Sequence, residues 1–201
     1  MVRCVLARPG ATEFDRQGRI KGCLDVPLSD EGRAQVMEMI RALGSVELDV
    51  IYSAPCQSAL ETAELLRVLG QPKIVVVDGL KNVDHGLWHG KLIDEVRRQS
   101  PTVFRAGQEH PERLQPPGGE SLGQARQRLN KALEKIFHKR NRLESVALVI
   151  SEPLATEARA VLRHLPGVTD LWKCECDAGS YESFEVDVEG APKESLLRIA
   201  R

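Results

Sequence analysis

Aromatic side chains are scarce in this sequence. They make up 4% of its 201 residues, against 42% for apolar residues as a whole. Any core must therefore be built chiefly from aliphatic side chains. Long hydrophobic runs are missing as well. The longest, Ile74 to Val77 and Val146 to Ile150, are strand-sized and far short of the roughly 20 residues needed to cross a bilayer. The N-terminus reaches Arg8 and Pro9 before an apolar segment of secretory length has formed, so no export signal is expected. Cysteines are few and odd in number, five in all, which argues against a disulfide framework and for a cytoplasmic setting. Neither sign of charge dominates: 28 Lys and Arg against 29 Asp and Glu leave a net charge of −1. No overall field draws nucleic acid or an anionic membrane, and neither is expected as a partner. The tract His138-Lys139-Arg140-Asn141-Arg142 is basic but short, and reads as a solvated helix end.

What is present is an alternation of strand-like and helix-like segments. Val2 to Ala7 and Val146 to Ile150 are apolar runs rich in β-branched residues and read as buried parallel strands; Asp49 to Tyr52 and Lys73 to Val77 are two more. Ser29 or Asp30 caps a helix in which Val36, Met39, Ile40 and Leu43 share one face before Gly44 stops it. Helices are predicted from Gln57 to Leu69, from about Leu122 to Phe137, and from Pro153 to about His164. Tyr181 to Val186 and Leu196 to Ala200 read as a closing strand pair turned at Glu189-Gly190. The expected fold is α/β: a three-layer sandwich with a mostly parallel central sheet and helices on both faces. Residues 79–119, rich in Pro and Gly with a short helical piece near Leu92 to Gln99, read as a small inserted cap within a single domain spanning 1–201.

The first strand ends abruptly in Arg8-Pro9-Gly10-Ala11-Thr12, then Arg19 and Gly22 lead to Asp25-Val26-Pro27-Leu28-Ser29 and Gly32. Further along come Ile51-Tyr52-Ser53-Ala54-Pro55 with Thr62-Ala63-Glu64; Asp84, Gly86, Trp88 and Gly90; Pro117-Gly118-Gly119-Glu120-Ser121; Val146 to Ser151; and Asp177-Ala178-Gly179-Ser180. In order and spacing these segments resemble the histidine phosphatase superfamily, the phosphoglycerate-mutase-like proteins. The resemblance implies a phosphate pocket built from two histidines, two arginines and a carboxylate. Carried onto this sequence, those positions fall on Arg8, Pro9, Ser58, Asn82 and Glu152, so only Arg8 keeps its expected chemistry. Proline has no nucleophilic atom, and a carboxylate at Glu152 repels the anion that a histidine would attract.

Two local consequences follow. Glu152 is placed to form an ion pair with Arg8, because strand ends of the resembled fold adjoin there. Arg8, Arg19 and Lys21 are the remaining candidates to bind an anion. No other residue restores the lost groups. His85 and His89 are four apart, but Gly86 and Gly90 make their segment a loop, so no metal is expected. Cysteine-based phosphoryl transfer requires an arginine six positions on, and none of the cysteines has one. Cys174-x-Cys176 reads as a pair of plain thiols, and Trp88 and Trp172 as packing residues. The expectation is thus a catalytically inactive pseudoenzyme without cofactor, acting as a binding or scaffolding protein for an unidentified protein partner or for itself. Two alternatives stand beside it: a residual binder of a small anion or phosphometabolite, and a phosphatase or mutase with a rearranged active site.

Overall fold

The computed structural model describes residues 1–138, 143–174 and 178–187. Its centre is a five-stranded sheet of β1 (Val2–Ala7), β2 (Val50–Ser53), β3 (Lys73–Val76), β4 (Ser145–Val149) and β5 (Tyr181–Val186), in the order β3-β2-β4-β1-β5. All neighbours are parallel except β5, which runs antiparallel to β1 at the edge. The two central strands β4 and β2 are buried at every residue. Strands covered on both sides require continuous apolar runs, and the sequence supplies them.

The helices are α1 (Glu13–Gln17), α2 (Asp30–Leu43), α3 (Gln57–Leu66), α4 (Ile93–Gln99), α5 (Pro101–Glu109), α6 (Leu122–His138), α7 (Leu154–Arg163) and α8 (Leu171–Cys174). Right-handed crossovers dictate which face each long helix covers. The connections through α2 and α3 move across the sheet towards β3, whereas α6 returns from β3 to β4. The first pair and the last must then lie on opposite faces. Packing agrees: α2 lies against α3, and α6 against α7. Ser29 caps α2 as expected, its hydroxyl accepting from the Gly32 N–H at 3.0 Å.

The main aliphatic core joins the sheet to both helical layers and includes Leu6, Ile51, Leu66, Leu129, Leu133, Leu148 and Leu154. A second, smaller core of Ile20, Trp88, Val96, Leu114, Leu171 and Trp172 sits under residues 79–119. Phe104 stacks on Trp172 with ring centroids 4.8 Å apart, and Trp172 donates its indole N–H to the Phe104 carbonyl at 2.9 Å. Both tryptophans are therefore packing residues. The 79–119 segment holds more helix than expected, because Pro101 opens α5 at its first position instead of interrupting it. The expected strand Leu196 to Ala200, its turn at Glu189-Gly190, the tract 139–142 and the motif residues Cys176 and Asp177 lie outside the described residues.

Candidate functional site

In a parallel sheet, a crevice opens where neighbouring strands send their connections in opposite directions. Here that place is the carboxyl end of the β1–β4 pair, where Ala7 is in register with Val149. The chain leaves β1 through Arg8 and Pro9, and leaves β4 through Ser151 and Glu152. A cleft there is lined by Arg8, Pro9, Asp15, Lys21, Ser151, Glu152 and Ala178. Backbone bonds hold both strand ends: Ile150 N–H to the Ala7 carbonyl at 3.0 Å, and Arg8 N–H to the Ser180 carbonyl at 2.8 Å.

The expected ion pair is present. Arg8 Nε stands 2.5 Å from Glu152 Oε1, and the two side chains are 5% and 4% exposed. So little solvent means that both charges must find their compensation inside the protein. Arg8 Nη2 also lies 3.3 Å from Glu182 Oε1 on β5, a carboxylate that Arg159 reaches at 3.4 Å. Thr156, on the first turn of α7, donates its backbone N–H to Glu152 Oε2 and its hydroxyl to Oε1, each at 3.1 Å. Burial pushes the Glu152 carboxyl above its ordinary range, and this outweighs the pull of Arg8 and the Thr156 hydrogen bonds.

Of the other predicted residues, Lys21 reaches the cleft and pairs with Asp15 at 3.0 Å. Asp15 is a site residue that family resemblance did not single out. Its carboxylate also accepts from the Thr12 N–H and hydroxyl, both at 2.6 Å, and the Thr12-x-x-Asp15 capping spacing was the available signal. Arg19, expected at the pocket mouth, is not a lining residue. It donates to the Gly90 carbonyl at 2.6 Å and to Gln17 at 2.7 Å, because a bridge to Leu92 carries it along the 79–119 segment. Ser58 and Asn82 are buried and also stand outside the lining. Asn82 nevertheless supports the site: its amide donates to the Glu152 carbonyl at 2.8 Å and the Gly22 carbonyl at 3.3 Å.

The lining carries two cations, Arg8 and Lys21, and two carboxylates, Asp15 and Glu152. It also carries one unsatisfied hydroxyl. Ser151 is buried, and its Oγ has no hydrogen-bond partner among the described residues. A buried donor without a partner at a cleft wall is a place where a ligand oxygen gains a bond at no competing cost. The arrangement has the charge and donors to hold a phosphoryl oxygen, and an acid held close to it.

A family model described as the histidine phosphatase superfamily (branch 1) matches residues 4–196. The chain belongs to that superfamily. Phosphoserine phosphatase 1 of Hydrogenobacter thermophilus is 31% identical to it over 93% of this chain and 88% of that protein. Among solved structures, YhfR of Bacillus stearothermophilus superposes with a TM-score of 0.80 at 28% identity, covering 93% of this chain and 92% of its own. A mycobacterial glucosyl-3-phosphoglycerate phosphatase in complex with inorganic phosphate gives 0.74 at 25% identity, covering 86% and 84%. These relatives overturn the expectation of an inactive superfamily member that only binds or scaffolds. That expectation treated each altered side chain as lost chemistry, whereas full-length similarity runs to proteins named as phosphatases. The physical fault lay in judging positions one at a time. A cleft that keeps two buried cations beside a carboxyl whose neutral form burial favours brings together groups that can act on a phosphate jointly.

Among the described residues no helix is long and apolar enough to cross a membrane.

Proposed function

We propose that this chain is a phosphatase that hydrolyses a small phosphomonoester in the β1–β4 cleft, using a rearranged set of groups. The observation that carries the reading is the buried Arg8–Glu152 pair at the strand ends, in a chain 31% identical over 93% of its length to a phosphoserine phosphatase. Where the resemblance puts the phosphoryl-accepting histidine stands Pro9, which has no atom to accept the group. On this reading water attacks phosphorus directly.

Phosphoryl transfer passes through a loose transition state in which positioning and charge do most of the work. Arg8 and Lys21 supply positive charge to the equatorial oxygens, and Ser151 Oγ supplies a neutral hydrogen bond. Glu152 then acts as the general acid. A dianion arriving beside it disfavours its charged form further, so the carboxyl meets substrate protonated and does not repel it. As the P–O ester bond breaks, Glu152 gives its proton to the leaving alcohol oxygen. As the new P–O bond forms, the attacking water's protons stay with the phosphate, and the resulting dihydrogen phosphate returns one proton to Glu152 before it leaves. The products are the free alcohol and inorganic phosphate, and the site is restored.

The test is release of phosphate from an aryl phosphate by the purified chain, with Arg8→Ala as the variant. Turnover is expected for the wild type and a fall of about 100-fold or more for Arg8→Ala. Absence of turnover, or equal rates for both proteins, would overturn the proposal. Thermal stabilisation by phosphate without turnover would replace it with anion binding alone.

A further inference from the structure

Cys23, Asp84 and His89 come together outside the cleft from two distant segments. Cys23 lies in the loop after α1, and Asp84 and His89 flank the single turn Gly86–Trp88. One ligand atom from each lies within 4.8 Å of the other two. We propose that these three residues bind a divalent transition metal of the zinc class, with a fourth position open to water.

The geometry carries the argument. Around a tetrahedral zinc with bonds of about 2.3 Å to sulfur and 2.0 Å to nitrogen, the two ligand atoms lie about 3.5 Å apart. Cys23 Sγ and His89 Nε2 are 3.5 Å apart. The imidazole-to-carboxylate edge of such a site is about 3.3 Å. His89 Nε2 and Asp84 Oδ1 stand at 3.8 Å, a gap that a small side-chain rotation closes.

His89 Nε2 accepts the His85 backbone N–H at 3.2 Å, which puts the ring proton on Nδ1; a bound metal would take that lone pair in place of the hydrogen bond. Asp84 is braced from behind, its Oδ1 accepting from Gly86 N–H at 2.9 Å and its own N–H donating to Glu120 Oε1 at 3.0 Å. Such outer contacts hold metal ligands in place. Gly22 completes the cradle: a Cβ there would lie 2.5 Å from His89 Nε2, so only glycine lets the ring come this close to Cys23.

The chemistry of the donors chooses the ion. One thiolate, one imidazole and one carboxylate make a mixed soft and borderline set that suits zinc or cobalt and not magnesium or calcium. A thiolate and a carboxylate also match the charge of a divalent ion. Bound metal would fasten the loop after α1, which carries Lys21, to the 79–119 segment. None of the three ligands lines the β1–β4 cleft, so the site stands or falls independently of the phosphatase reading.

Cobalt(II) titration of chelator-treated full-length protein tests this. One equivalent should give a thiolate-to-cobalt charge-transfer band and the strong visible bands of a tetrahedral ion, both displaced by zinc. Cys23→Ser should abolish the charge-transfer band, and Asp84→Asn and His89→Gln should weaken cobalt binding by at least about tenfold. The Cys174→Ser/Cys176→Ser variant should bind as wild type does. In parallel, zinc should raise the melting temperature of the wild type but not of His89→Gln, which keeps the measurement informative if Cys23→Ser folds poorly. No thiolate band with the wild type, or a band that survives Cys23→Ser, overturns the proposal. A band that disappears in the Cys174→Ser/Cys176→Ser protein also overturns it.

Discussion

Replacing Glu152 by Gln removes one proton from the cleft while keeping an oxygen that can accept from Arg8 and Thr156. Its effect on catalysis must then depend on the leaving group. A general acid contributes roughly 100- to 10,000-fold where the departing oxygen is basic, as in an alkyl alcohol, and little where it is an acidic phenol. Phosphate release from an alkyl phosphate should fall within that range in Glu152→Gln, and release from a nitrophenyl phosphate by less than about tenfold. The same variant tests the electrostatics. Arg8 exchanges its carboxylate partner at 2.5 Å for an uncharged amide oxygen and keeps Glu182 at 3.3 Å, so the cost in stability should stay below about 3 kcal/mol, the low end for a broken buried pair. That cost has a direction in pH. Burial raises the folded-state pKa of Glu152, so its contribution is complete below the ordinary value of 4.5 and is lost as pH rises through the folded value. Denaturant melts at a series of pH values should therefore show the gap between wild type and variant narrowing as pH rises across that window. A gap that widens would mean that Arg8 wins over burial and strips the proton, and the general-acid mechanism would fall. Equal losses on alkyl and aryl substrates would refute it separately.

Glu157 is 1% exposed and accepts two hydrogen bonds from Arg126, at 2.6 and 2.9 Å, and one from the Val168 N–H at 2.9 Å. Glu157→Ala should lower stability by about 3–5 kcal/mol and the melting temperature by roughly 10 °C; a calorimetric shift under about 3 °C would contradict this. Gly86 adopts φ +51° with Pro117 O lying 2.3 Å from where a Cβ would sit, whereas Gly18 at φ +65° has open space around it. Gly86→Ala should thus cost more than about 2 kcal/mol in chemical denaturation and Gly18→Ala about 1 kcal/mol, and equal costs would show that backbone strain alone matters.

The sequence was most legible where one element obeyed one period. The apolar runs of β1 and β4 and the face of α2 appeared within a residue or two of their observed ends, because burial imposes those patterns directly. The Arg8–Glu152 pair was legible as well, since it follows from two strand ends that the fold sets side by side. Asp15 and Lys21 were harder to place. Their pairing depends on a five-residue helix too short to show a period, and only the capping spacing hints at it. Arg19 looked equivalent to Lys21 in sequence, yet a single bridge to Leu92 turns its guanidinium to a backbone carbonyl elsewhere. The grouping of Cys23 with His89 crosses 66 positions and two loops, beyond any local pattern. Function was the least legible of all. Side chains at Pro9, Ser58 and Asn82 could be read singly, but whether the cleft still works is a property of all its groups together.

The strand that delivers Arg8 is bonded on both sides, from Arg3 to Ala7 against β4 and from Val2 to Ala7 against β5. Each residue so fixed gave up about 1–2 kcal/mol of conformational freedom when the chain folded. A ligand entering the cleft need not supply that ordering again. Recognition at this cleft is in that sense pre-set by folding: the guanidinium waits on a backbone already held from two directions. Occupancy and sheet integrity become linked quantities, each strengthened by the other.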